Sequence, residues 1–595
     1  MPPRPVSWSA RLLRFPAVTV VAVALGVLLC LPALRSGFFA DDHLQLRVLD
    51  GRAGDHSPFD LYRFTGRDDA ESARLFAQGP WPWYGDIAAR SRLFRPLSSA
   101  LLVLDHSLFG LDATGYHAHA LLWYAALIAV AAALYRRTVP EGLAALSLLL
   151  FATDYAHALP VGWIASRHSV VAGALAMLGL LAHVRARQEG FSAGRWLALF
   201  AFAVALTAGE TALAILMYVF AYELMDRTGA VAERARASAP YAAYAALYLG
   251  VYKALGYGVR GQINYLDPIG DPARFLAELP GRTAALSGGK ILGVPSDLWM
   301  FDFRARAPLI AIGAAALVLL ALVLRPAFRA ATEEERRSVR FWLTGAALSL
   351  LVVVNGTLGN RLLVAPGLGA TVAIAFALRH GWRVARKRLP ATAPARVAHG
   401  AALVVFGLVH VVASPLFLAG TIESLRSQSS TIERMASAPG VVPAHGSHVV
   451  VVAASDPVTA LYSGAYRMAA AEPRPEGWHF LSLAVCQHRV TRTGPRTLEI
   501  ALIDGQMLTR EFDGLVRPPD RPLHAEAEVP LDCGGVRVLD APNGKPTRIE
   551  VTFDGDIEGD RFSFLVQDEG AFRKLPLPPQ GESVVFDIHP APPPF

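Results

Sequence analysis

Residues 195–226 read RWLALFAFAVALTAGETALAILMYVFAYELMD, and how often this run crosses a membrane decides the topology of the chain. At about 1.5 Å per residue it is far too long for one passage of a hydrocarbon core roughly 30 Å thick, and short for two. Charge settles the parity. With two crossings, Arg136/Arg137, Arg185/Arg187, Arg227/Arg234/Arg236, Arg325 to Arg340 and Arg383 to Arg388 fall on one side, together with Arg4, Arg11 and Arg14. One crossing sends the last three clusters to the opposite face, against the tendency of Lys and Arg to stay cytoplasmic. The sequence therefore predicts a cytoplasmic N-terminus and a tight external turn at Glu210.

Outward from this run, apolar segments follow at 15–35, 116–135, 141–156, 167–184, 240–257, 307–325, 341–356, 362–379 and 398–419. With the pair inside 195–225, this predicts about eleven transmembrane helices. The first segment follows basic residues as a signal peptide does. Its apolar run is longer than an h-region and lacks a clear A-x-A site, so it reads as an uncleaved helix. The expected organisation is a multi-helix membrane domain over 1–419, with external loops 37–115 and 258–306, and a soluble extracytoplasmic domain over 420–595. The tail has strand-like runs, HVVVVAAS (448–455), TLEIALI (497–503), RIEVTF (548–553) and RFSFLV (561–566), separated by Gly, Pro and Asp. It is expected to be β-rich, opening with a short α/β segment. Cys486 and Cys533 are open to two readings, a bridge or two buried thiols, and Cys30 reads as a packing residue.

Composition agrees with this division. The 595 residues are 53% hydrophobic and 18% charged, and the mean hydropathy is +0.36, on the lipid side of an ordinary globular chain. Three cysteines exclude a disulfide-dense scaffold. The net charge of +7 splits into +14 over residues 1–419 and −7 over the tail, so a basic nucleic-acid surface has no support.

Side chains with chemistry gather on the expected outer side. SGFFADDHLQL (36–46) puts Asp41, Asp42 and His43 where the first helix ends. A carboxylate at a low-dielectric boundary suits a general base, although position alone also fits a solvated helix terminus. SRLFRPLSSALLVLDHSLFG (91–110) sets Arg92 and Arg95 before an amphipathic stretch suited to the interface, and the preceding WPWY (81–84) suits the headgroup level. Guanidinium groups there suit a lipid phosphate, or simple anchoring to headgroups. His117 and His119, Asp154 and His157, Arg167 and His168, Glu210, and Asn360 with Arg361 stand at five further helix ends. Ionisable groups at membrane spans are costly and often functional. No H-E-x-x-H or C-x-x-C spacing fixes a metal site, no phosphate-binding Walker loop or G-x-S-x-G elbow occurs, and no paired halves suggest a transporter.

In this order the segments resemble the GT-C superfamily of integral-membrane glycosyltransferases, in particular the protein O-mannosyltransferase-like branch. FADDH (39–43) is similar to its acidic pair after helix one. FRPL (94–97) with LFGLDATGYHAHALLWY (108–124) is similar to R-P-L…F-G…H…N-x-x-x-H, and LPVGWIASRHSVVAGAL (159–175) to P-V-x-x-x-x-W-x-x-x-R. LTAGETAL (206–213) resembles L-x-K-E-T, with Gly209 in place of the lysine, and NRLLVAPGLG (360–369) resembles R-Y-x-Y-x-P-S-x-G, with Leu362 and Val364 in place of the tyrosines. The likeness covers residues 15–380, and the tetratricopeptide tail of one branch is absent.

The resemblance implies transfer of a sugar from a polyprenyl-phosphate donor to a protein, lipid or glycan acceptor at the outer face of the plasma (inner) membrane, with inversion at the anomeric carbon. It implies Asp41 or Asp42 as base, Asp41 slightly ahead. It gives the donor phosphate to Arg92, Arg95, Arg167 and Arg361, and keeps His43, His117, His157 and Glu210 as further site candidates. A divalent metal is left open, since three adjacent ligands at Asp41, Asp42 and His43 converge on one ion awkwardly. The implied partners are the lipid-linked sugar, a protein, lipid or glycan acceptor, and membrane lipids, with no nucleic acid. Two alternatives stand beside this reading: a transporter or flippase of a lipid-linked saccharide, and a non-catalytic membrane assembly protein.

Overall fold

The structure, a computed structural model, describes residues 15–53, 56–225, 230–387, 389, 392–438, 441, 446–469, 472–569 and 571–590. Arg4, Arg11, Arg14, Arg227 and Arg388, part of the topology argument, lie outside the described residues. The chain is mostly helical, with a β-rich region toward its C-terminus. It forms two compact units. The first comprises Met1–Ser36, Phe94–Leu255 and Leu266–Glu423, and the second Gly37–Leu93, Gly256–Tyr265 and Ser424–Phe595. Residues 37–93, read from the sequence as a loop of the membrane domain, thus cluster with the tail.

Among the described residues, six helices are long and apolar enough to cross a membrane: Phe15–Arg35, Ala113–Thr138, Ile164–Glu189, Phe303–Ala330, Asn360–Ala385 and Ala393–Ala436. Glu141–Ala152 and Tyr155–Gly162, bent by 44°, make a seventh if they are one broken span. The run 195–226 is two short helices, Gly194–Ala208 and Thr211–Met225, broken at Gly209 and Glu210. Each rises only about 22 Å, which is why the run is too long for one span and short for two. Two other expected spans, 240–257 and 341–356, fall in helices of mixed character. Val231–Ala254 carries Glu233, Arg234, Arg236 and an internal Pro240, and Glu333–Val353 opens on Glu333, Glu334 and Glu335 with a complete capping box from Thr332. Length and apolarity therefore qualify six or seven of the eleven expected crossings. The expected interfacial stretch is the helix Pro96–Phe109.

Small residues bring the helices of the first unit together. A Cβ on Gly313 would lie 1.8 Å from the Ala284 carbonyl oxygen, so Phe303–Ala330 meets Pro272–Leu292 backbone to backbone. Tyr218, fully buried, donates to the Ala365 carbonyl at 2.8 Å and accepts from the Gly369 N–H at 2.9 Å, tying Thr211–Met225 to Val364–Ala385.

Among the described residues, all the strands lie in the second unit. β1 (Arg90–Arg92) and β2 (Gly258–Arg260) pair antiparallel. β3 (His448–Ala454), β4 (Gly477–Phe480), β10 (Phe562–Asp568) and β11 (Ala571–Lys574) form a sheet ordered β11-β10-β3-β4. β5 (Gln487–Gly494), β6 (Thr497–Leu502), β7 (Glu528–Leu531), β8 (Gly534–Asp540), β9 (Arg548–Phe553) and β12 (Ser583–Asp587) form a second, antiparallel one ordered β12-β5-β6-β9-β8-β7. β3 runs parallel to both neighbours and is buried along its whole length, which its unbroken apolar run requires. The helix Pro457–Ala469 carries the chain from β3 to β4, the α/β opening expected of the tail. β5 and β6 alternate buried residues with more accessible ones, so one face points inward.

One expectation changes here, and one open reading closes. WPWY does not present Trp83 and Tyr84 to headgroups. Both are buried in the core of the second unit, Trp83 donating to the Leu481 carbonyl at 2.9 Å and Tyr84 to Asp513 Oδ1 at 2.7 Å. A Trp or Tyr with an apolar body and one polar tip suits a protein core as well as a membrane interface, once a buried acceptor satisfies the tip. Of the two cysteine readings, separate thiols hold: Cys486 and Cys533 are both free.

Candidate active site

The acidic pair opens the helix Asp41–Leu49 in the second unit. Ala40 precedes it at φ 52°, ψ −120°, a conformation a residue with a Cβ adopts only when its surroundings enforce it. The two carboxylates are treated differently. Asp42 is buried and accepts the Phe39 N–H at 2.8 Å, which closes the loop onto the helix. Asp41 is half-buried and accepts the Tyr462 hydroxyl at 2.7 Å from the helix Pro457–Ala469. The first-turn position favours negative charge at both. His43 is buried, edge-on to Tyr466 at 5.4 Å, and burial pushes its pKa down to about 4. It is a neutral packing ring at ordinary pH.

Arg92 also belongs to the second unit, and it is built into the β1–β2 ribbon. It donates to the Gly256 carbonyl at 3.2 Å and covers the Tyr257 ring at 4.8 Å, while Tyr257 donates to Asp60 at 3.2 Å.

The other candidates stand in the first unit. Arg95, at the start of Pro96–Phe109, forms an ion pair with Glu210 (Nε to Oε2 2.9 Å, the second nitrogen 2.8 Å), and Ser98 donates to the Ala208 carbonyl at 2.7 Å. The expected turn at Glu210 is therefore clasped by the segment holding Arg95. Gly209 belongs to this clasp through its size, since a Cβ there would lie 2.9 Å from His168 Nδ1. Arg167 is buried and bonded to Asp105 Oδ2 at 2.5 Å and to the Tyr116 carbonyl at 3.1 Å. The other Asp105 oxygen meets His119 Nδ1 at 2.6 Å, and Trp123 donates to His119 Nε2 at 3.0 Å. This network makes Arg167 a strut between helices. His117 is buried. His157 is buried with Nδ1 3.2 Å from the Tyr124 hydroxyl, which itself donates to the Ala152 carbonyl at 2.8 Å; the ring nitrogen is thus the donor.

Arg361 lies over the Trp163 ring at 5.6 Å and is half-buried. Its neighbour Asn360 fixes the segment: Asn360 Oδ1 accepts the Ser296 hydroxyl at 2.6 Å, and Asp297 accepts the Asn360 N–H at 3.0 Å. Gly359 leaves room for this contact, since a Cβ would reach within 2.3 Å of Asp297 Oδ1.

Three partners escaped sequence reasoning: Tyr462, Asp105 and Lys290. Lys290 forms a buried ion pair with Asp154, and both line a small cavity of the first unit with Asn360 and His410. A lone lysine in SGGKIL (287–292), on a stretch of helix with no other charge after Arg282, was the signal available for it.

No family model matches the sequence, and no curated protein matches it. Among solved structures the chain is similar to the Archaeoglobus fulgidus oligosaccharyltransferase AglB in complex with an inhibitory peptide and a dolichol-phosphate, at 13% identity and a TM-score of 0.42, over 79% of this chain and 65% of that one. It is similar to the Archaeoglobus fulgidus oligosaccharyltransferase tethered with an acceptor peptide containing the NVT sequon, at 14% identity and a TM-score of 0.37, over 78% of this chain and 64% of that one. It is also similar to ArnT from Cupriavidus metallidurans bound to undecaprenyl phosphate, at 12% identity and a TM-score of 0.38, over 72% of this chain and 82% of that one. The chain thus spans just under two thirds of the two oligosaccharyltransferases.

Proposed function

We propose that the protein is a membrane glycosyltransferase of GT-C type, of the O-mannosyltransferase-like branch, that moves a sugar from a polyprenyl-phosphate donor to an acceptor hydroxyl or amine. The observation that carries this reading is the division of labour in the acidic pair. Asp42 is buried and holds the loop backbone, whereas Asp41 is half-buried and aimed by Tyr462. In the reaction the acceptor oxygen or nitrogen bonds to the anomeric carbon as the carbon–oxygen bond to phosphate breaks. The acceptor proton passes to Asp41, and the negative charge left on the polyprenyl phosphate is stabilised by cations. Arg361 and Arg95 take that role, the pair of Arg95 with Glu210 being more open to solvent than the buried pair of Arg167 with Asp105. Arg167, already bonded to Asp105, and Arg92, built into its ribbon, act by holding structure.

The test is the lipid that copurifies. Mass spectrometry of the purified protein is expected to find a polyprenyl phosphate, depleted about tenfold or more in Arg95→Ala/Arg361→Ala. Equal lipid in wild type and variant removes the two arginines from this role.

A transporter of lipid-linked saccharide is favoured by one observation, the buried Asp154–Lys290 pair beside a cavity in the membrane unit. Saccharide crossing liposomes without any covalent product supports that reading instead.

A further inference from the structure

In the second unit, four metal-binding side chains converge far in sequence from the acidic pair. His448 opens β3, His479 lies in the neighbouring parallel strand β4, and Asp532 and Cys533 form the turn between β7 and β8. One donor atom from each lies within 4.8 Å of every other. Adjacent residues seldom share an ion from a strand, where side chains alternate, but here the adjacent pair stands at a turn.

Three features point to a ligand. First, His448, His479 and Cys533 are buried, at 1%, 3% and 0% exposure. Second, His448 Nδ1 and His479 Nε2 make no hydrogen bond among the described residues, although Asp532 Oδ1 lies 3.6 and 2.9 Å from them. Buried nitrogens without hydrogen bonds call for an explanation. Third, the backbone makes room: a Cβ on Gly477 would stand 2.6 Å from His479 Nε2, 2.7 Å from His448 Nδ1 and 3.2 Å from Asp532 Oδ2. Outside the cluster, Glu476 Oε2 lies 3.4 Å from His448 Nε2, a position that favours the proton on that nitrogen and the lone pair on Nδ1.

We propose that His448, His479, Asp532 and Cys533 bind one zinc ion, which fastens the β7–β8 turn to the β3–β4 pair. Two imidazoles, a thiolate and a carboxylate are a donor set zinc accepts in tetrahedral geometry. Zinc–nitrogen bonds of about 2.0 Å and a zinc–sulfur bond of about 2.3 Å put the donors roughly 3.3 to 3.5 Å apart, so the cluster contracts modestly on binding. Asp532, exposed at the turn, gives the ion an entry from solvent. Four protein ligands leave no open position, so the ion is structural.

The test uses the full-length protein stripped with chelator and titrated with cobalt(II), then zinc. Wild type is expected to bind one equivalent of cobalt with a thiolate-to-cobalt charge-transfer band, which zinc abolishes on displacement. Cys533→Ser loses that band, His479→Ala binds about tenfold more weakly or worse, and Gly477→Ala weakens binding with all four ligands present. Cys30→Ala/Cys486→Ala removes the other thiols, so the band it retains belongs to Cys533; this variant decides the matter if Cys533→Ser does not fold. No saturable cobalt binding in wild type, or loss of the band in Cys30→Ala/Cys486→Ala, overturns the proposal.

Discussion

Asp41 and Asp42 differ by one position in sequence and by role in the structure. Asp41→Asn is expected to lower sugar transfer by about 10²–10⁴-fold, the range of a lost general base, with the fold intact. Tyr462→Phe keeps the carboxylate and loses its positioning bond, so its loss is expected to be smaller. Asp42→Ala leaves the Phe39 N–H without its acceptor and is expected to cost about 1–3 kcal/mol, read in denaturant unfolding. His43 and His488 supply a pH dependence: burial pushes each down to about 4 from 6.5. The unfolded chain then binds more protons than the folded one between those values. Stability is therefore full above about pH 6.5 and falls as the pH drops toward 4, by about 3 kcal/mol per histidine. Unfolding at pH 7 and pH 5 checks this, and His43→Phe is expected to show the shallower dependence.

At the scale of elements, the sequence was legible wherever an apolar run or an alternation forced one answer. The helix break at Gly209–Glu210 followed from length and charge, and the β strands near 448, 497, 548 and 561 from β-branched runs between turn residues. What stayed hidden were contacts with no local signature. Tyr462 meets Asp41 from 421 residues away, and Lys290 meets Asp154 from 136. Trp83 and Tyr84 misled because an aromatic with a polar tip fits a headgroup and a core acceptor alike. Helix packing makes its own prediction. Gly313→Ala pushes a Cβ to 1.8 Å from the Ala284 carbonyl, whereas at Gly288 the nearest atom is 3.1 Å away. Gly313→Ala is expected to cost about 1–3 kcal/mol and Gly288→Ala clearly less, compared by thermal unfolding in detergent.

For the whole molecule, the opposed charges of residues 1–419 and of the tail now have a frame: an apolar helical unit, and a β-rich unit that also takes in residues 37–93. The topology drawn from the arginine clusters gives a further expectation. Alkaline phosphatase joined after residue 436 is active, and joined after Ala230 it is inactive; the reverse pattern inverts the orientation. The central claim, transfer of a sugar by Asp41, is tested most directly by following label. Purified protein in liposomes is given a polyprenyl phosphate carrying a radiolabelled sugar, with cell-envelope extract as the source of acceptor. The account predicts that label leaves the lipid for a covalent product with wild type and not with Asp41→Asn. Label that stays on the lipid with wild type, or that moves equally well with Asp41→Asn, contradicts it.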